Sequence, residues 1–170
     1  LGLGAGFVDP LRVPAVMHYT GHMPRPGQDD PAREAALAAA LDKVISVENV
    51  GAAFGGLAAG FDNLAAEALL RAHVTPTCVL PCDPATYEGA SVAPAGPRWV
   101  ARFRALLPHV RVEELDERPF PGDDLHLAMA ARRAMGLARL HAQHRDGAAL
   151  QVAAWDGQKP RGAAGTAADV

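Results

Sequence analysis

Five short apolar runs alternate along the chain with four longer stretches in which apolar residues recur every three or four positions. The runs cover 13–20, 50–55, 76–81, 110–115 and 150–155. Most are continuous rather than alternating, the pattern of strands buried on both faces of a parallel sheet. The first helix is predicted to start at Asp30, an N-cap followed by Pro31 in the first turn, and to bury Leu37, Leu41, Val44 and Ile45. The second is predicted over 62–72, burying Leu64, Ala65, Ala68 and Leu69. The third spans 97–107, with Trp99, Val100, Phe103, Leu106 and Leu107 inward. The fourth and longest spans 124–144 and carries Gly136 near its middle. A mid-helix glycine costs about 1 kcal/mol relative to alanine, so close packing is expected there.

Strand and helix in alternation predict an α/β fold: a doubly wound, mainly parallel five-stranded sheet with helices on both faces. Ligands of such sheets bind beyond the carboxyl ends of the strands, near a topological switch point. The strand exits read Thr20-Gly21-His22, Gly55-Gly56, Pro81-Cys82-Asp83 and Asp156-Gly157, so glycine and polar residues gather at that edge. After the fifth run, Gly162, Gly165 and Thr166 form a small-residue turn, with Asp169 at the start of a further helix. Unpaired amides at such a junction, with the helix dipole behind them, favour an anion. The glycine-rich stretch 51–60 after the second run is a second turn of this kind, and together they point to a nucleotide-like ligand.

With 170 residues, the chain is expected to form one domain over 13–170, preceded by a leader or linker at 1–12. It lacks an initiator methionine, and we expect it to be a module of a longer polypeptide. The net charge of −3 gives no electrostatic ground for nucleic acid or an anionic membrane, and no apolar run is long enough to span a bilayer. Cys78 and Cys82, four apart in a strand and its exit, would be separated by roughly 13 Å, too far for a disulfide. Free thiols point to the cytoplasm. No cofactor motif is present: there is no Walker-type lysine, Ser91 lacks a nucleophile-elbow context, and His18 and His22 lack a third metal ligand at sensible spacing.

The stretch Gly56-Leu-Ala-Ala-Gly60-Phe-Asp62, with Glu67, looks like the G-L-A-x-G-x-D turn of the DNA-processing protein A branch of the SLOG superfamily. Gly162-Ala-Ala-Gly165-Thr166-Ala-Ala-Asp169 is similar to the G-G-x-G-T-x-x-E signature of the Lonely Guy phosphoribohydrolase branch, with Ala163 for the second glycine and Asp169 for the glutamate. In order, Thr20-Gly-His-Met23, Gly60-Phe-Asp62, Val79-Leu-Pro81, Ser91-Val92 with Trp99 and Arg102-Phe103, and Trp155-Asp-Gly157 resemble SLOG-type modules of multidomain bacterial signalling proteins. The resemblance spans about 13–170. It implies a Rossmann-like fold and a nucleotide-derived ligand; some members cleave an N-glycosidic bond, and others sense a ligand for an attached effector domain.

Several residues carry two readings. Gly55, Gly56 and Gly60 serve tight packing, ligand approach, or both, and Asp62 is most simply an N-cap. Glu67 either pairs with Arg71 one turn on or serves the site as a carboxylate for ribose or an oxocarbenium-like centre. His22 stands at the crevice mouth. Arg98 and Arg102 share a helix face that is either solvated or a phosphate clamp. The expected ligand contacts are Gly21, His22, Gly55, Gly56, Gly60, Asp62, Asp156, Gly157, Gly162, Gly165 and Thr166. The expected function is sensing of a nucleotide-derived signal. The alternatives are a nucleotide N-glycosidase or phosphoribohydrolase using Glu67 or Asp169, and a structural interaction module. Homo-oligomerisation stays open. The shorter carboxylate of Asp169 weighs against the enzyme, since a misplacement near 1 Å can cost about 100-fold in rate.

Overall fold

A computed structural model of the chain describes residues 12–24, 30–115 and 124–155. The elements run β1 (Ala15–Gly21), α1 (Pro31–Val47), β2 (Val50–Gly55), α2 (Phe61–Arg71), β3 (Thr77–Leu80), α3 (Pro84–Ser91), α4 (Pro97–Leu106), β4 (Arg111–Glu114), α5 (Asp124–His144) and β5 (Ala149–Ala154). The five strands form one sheet in the order β4-β3-β2-β1-β5, every pair parallel. The doubly wound α/β architecture expected from the periodicity is what the chain adopts.

Alternation along the central strands sorts the core into two layers. Met17 and Tyr19 of β1, Ala53 of β2, and Cys78 and Leu80 of β3 pack with α1, α2, α3 and α4. Val16, Phe54 and Val79 point the other way, onto Ala130, Ala134, Ala138 and Ala142 of α5. Three successive crossovers therefore cover one face, and among the described residues α5 covers the other. Its length follows from the topology. The return from β4 to β5 crosses four strand spacings, about 19 Å, and rises about 20 Å along the strands. A diagonal near 28 Å needs about 19 residues at 1.5 Å each, a span that the 21 residues of α5 cover. Alanines on its inner face let it lie close to the sheet.

Local signals explain most boundaries. The Asp30 carboxylate accepts from Arg33 N at 2.9 Å, and Pro31 occupies the first turn of α1. Asp83 and Pro84 repeat that device for α3, a helix the periodicity did not predict: the Asp83 carboxylate accepts from Ala85 N at 3.0 Å and Thr86 N at 2.9 Å. Two expectations are corrected. The N-cap of α2 is Gly60, not Asp62, which lies inside the helix. Gly136 has no close neighbour among the described residues: a Cβ built there would meet none of them within 4 Å.

Candidate functional site

The direction of chain progression reverses between β1 and β5, so the switch-point crevice lies beyond their carboxyl ends. Gly21 is paired with Ala154, and His22 N donates to Ala154 O at 3.2 Å, which holds the two strand exits side by side. His22 and Met23 are exposed at this rim. Gly21 packs against Phe61, the first residue of α2: any side chain at position 21 would overlap that ring. Gly60, at φ +92, lies against the same rim, and a Cβ there would fall 2.6 Å from Pro24 Cδ and 2.9 Å from His22 O. Its positive φ and this contact both require glycine. The β1 exit and the β2–α2 turn are thus one wall. Asp156, Gly157, Gly162, Gly165, Thr166 and Asp169 lie outside the described residues, immediately after β5.

The β2–α2 turn is fastened from behind by the chain's two tyrosines. Tyr19 OH donates to Gly56 O at 3.0 Å, and Leu57 N donates to Tyr87 OH at 3.4 Å, so both ends of one peptide unit are held. Asp62 Oδ2 accepts from Ala58 N at 3.3 Å, and Ala59 N donates to Ser91 O at 3.0 Å. Asn63 Nδ2 donates to Leu57 O at 3.0 Å and to Ala58 O at 2.7 Å. The amides of Leu57, Ala58 and Ala59 are therefore engaged within the protein rather than aimed at a ligand. Gly55 packs on the Tyr19 ring, and Gly56 leaves room for the Asp62 carboxylate, 2.7 Å from where a Cβ would stand. This turn forms a rigid wall, and its glycines serve internal close approach.

Asn63, Tyr19 and Tyr87 were not singled out by sequence. The available signal was the scarcity of tyrosine beside glycine-rich strand ends. Burial raises the pKa of both tyrosines, so they are neutral hydrogen-bonding groups. Tyr19 OH also lies 3.4 Å from Cys78 Sγ, whose thiol burial pushes up to about 12. Among the described residues, His18 Nδ1, Asn63 Oδ1 and Trp99 Nε1 are buried without a hydrogen-bond partner. His18 faces the α5 side of the sheet, and burial lowers its pKa to about 4.

Glu67 lies on α2, in the helical layer. Arg102 Nε and Nη2 donate to its two oxygens at 2.7 and 2.5 Å, and Arg102 Nη1 donates to Glu34 at 3.1 Å. Arg98 also pairs with Glu34, and this guanidinium, followed by burial acting the other way, holds the Glu34 carboxyl below its usual range. Both guanidiniums stand over the Trp99 ring, at 4.7 and 4.6 Å. The face read as solvated or phosphate-binding is thus a clamp joining α1, α2 and α4. The i,i+4 partner considered for Glu67, Arg71, instead reaches Asp42 at 2.8 Å.

Among the described residues, no three His, Cys, Asp or Glu side chains converge to hold a metal ion. No described helix is long and apolar enough to cross a membrane. Cys78 and Cys82 are free and buried. With the architecture defined as a Rossmann-like α/β fold, the sequence matches no protein-family model and no curated protein.

Proposed function

We propose that this chain binds a nucleotide or nucleotide-derived signal, as a sensor module of bacterial signalling or defence, in the crevice beyond β1 and β5. The observation that carries the reading is the strand order. It puts the topological switch at Gly21-His22 and Ala154, hydrogen-bonded side by side, with the small-residue turn of Gly162, Gly165 and Thr166 following the second strand in sequence. The phosphate would meet that last turn. The ribose and base would lie along the wall of Gly21, His22 and the β2–α2 turn, whose internal fastening pre-organises it. The resemblance to SLOG modules favours the same ligand class.

The bidentate hold of Arg102 on Glu67 favours binding over glycosidic hydrolysis. A carboxylate neutralised by its own guanidinium is a poor stabiliser of a cationic sugar carbon. The test is a thermal-shift panel of NAD, AMP and cyclic nucleotides, run alongside chromatography for released base. At a hundred times Kd, one bound ligand adds about 2.7 kcal/mol, or roughly 5–10 °C in Tm for a domain of this size. Stabilisation without base release, lost in Thr166→Ala and His22→Ala, is expected. Base release abolished by Asp169→Ala would replace the sensor with an enzyme. No stabilisation by any member of the panel would refute the site.

A further inference from the structure

The outward face of α5 is composed unlike a solvated helix face. At 3.6 residues per turn, Leu125, Met129, Gly136 and Leu140 fall within an arc of about 60°, diametrically opposite the alanines that pack on the sheet. The three large side chains are 57%, 50% and 49% exposed. Between them stands Gly136, with nothing within 4 Å of a Cβ built there. Among the described residues the glycine serves no internal packing, yet it weakens the helix it interrupts. Arg132 and Arg139, seven residues apart, flank the ridge on one side. Both are exposed, and neither has an acidic partner among the described residues, whereas Arg133 on the other flank is bound to Glu113.

We propose that this ridge docks an acidic amphipathic helix of a partner protein. The apolar side chains would seat its apolar stripe, and Gly136 would be the point of closest helix–helix approach. Arg132 and Arg139 would pair with carboxylates one heptad apart. Three features select this occupant. Within 124–144 there are three arginines against one aspartate, and whereas the three arginines of α4 are bound to Glu34, Glu67 and Glu88, Arg132 and Arg139 leave this ridge with a net positive flank. A second copy would bring those arginines against their own kind. A lipid surface gains nothing from a notch in the backbone, whereas an approaching helix does. Met129 adds an adaptable contact. The ridge is pre-formed because the opposite face of α5 is anchored on β1, β2 and β3. The surface is distinct from the β1–β5 crevice and does not depend on the ligand reading.

The test uses two fluorescent 21-residue synthetic helices with the same leucine heptads, one flanked by glutamate and one by lysine, titrated with the full chain by anisotropy. Micromolar binding of the glutamate helix is expected, at least tenfold tighter than the lysine helix. It should weaken about tenfold or more in Leu140→Ser and in Arg132→Glu/Arg139→Glu, with unchanged circular dichroism and falling affinity at high salt. Equal binding of the two helices, binding indifferent to these substitutions, or no binding overturns the proposal. So does a dimer in sedimentation that Leu140→Ser dissolves, which would give the ridge to a second copy. Co-sedimentation with phosphatidylserine vesicles, lost in the double arginine variant, would give it to a membrane.

Discussion

Acidification tests the α5 side of the core through His18. This side chain is 3% exposed, its Nδ1 has no hydrogen-bond partner among the described residues, and burial lowers its pKa from 6.5 to about 4. Above pH 6.5 the imidazole is neutral in both the folded and the unfolded chain, so its titration adds nothing to stability differences. Below pH 6.5 the unfolded chain takes up a proton that the native state refuses. Stability is therefore lost as pH falls from 6.5 toward 4. The full loss is about 3 kcal/mol, and at pH 5 it is already about 2 kcal/mol. With a urea slope near 2 kcal/mol/M, the midpoint at pH 5 should lie about 1 M lower than at pH 7.5. Urea unfolding followed by far-ultraviolet circular dichroism, at both pH values, measures this directly. His18→Leu removes the titrating group and an unpartnered polar atom at similar volume, so at pH 7.5 it should be neutral or stabilising. The decisive quantity is the difference of differences: the wild type should lose about 2 kcal/mol more than the variant on acidification. Equal losses, within about 0.5 kcal/mol, would refute the claim that a neutral imidazole in this core controls its acid response.

Three further outcomes follow from the opposite layer. Arg102→Ala leaves Glu34 and Glu67 facing each other across helices with about a quarter of each side chain or less in solvent. It should cost about 2 kcal/mol, less than a fully buried pair, and a cycle with Glu67→Gln should show a coupling above about 1 kcal/mol in urea unfolding. Asn63→Ala removes both hydrogen bonds to the Leu57 and Ala58 carbonyls and should lower stability by about 1–2 kcal/mol, a fall of roughly 3–6 °C in Tm by calorimetry. A native thiol titration at pH 8 should count no reactive cysteine over the minutes in which urea-unfolded chain shows two, because both are buried and the Cys78 thiol stays protonated up to about 12.

What periodicity could reveal was the set of elements with long-range apolar repeats. The span of α5, Asp124–His144, and the inward stripes of α1, α2 and α4 were legible because burying a helix face imposes a 3.6-residue repeat on the sequence. α3 was missed because its eight residues bury Tyr87 and Ser91 and carry almost no repeat. Its capping pair, Asp83-Pro84, is the same as Asp30-Pro31, so the cap was the better signal where the helix is too short for a stripe. The candidate site divides for a related reason. Glycine marks close approach without naming the neighbour. Gly21, Gly55, Gly56 and Gly60 were visible as a cluster, but only the packing of strand order shows that Phe61, Tyr19, Asp62 and Pro24 are what approach them. Charges behave likewise: Glu67 offered a local partner at Arg71, and the fold instead supplied Arg102 from 35 positions away. A local pair on an exposed helix is worth a few tenths of a kcal/mol. A bidentate pair half-buried between helices gains more, so tertiary geometry outcompetes sequence proximity and engages the carboxylate within the protein.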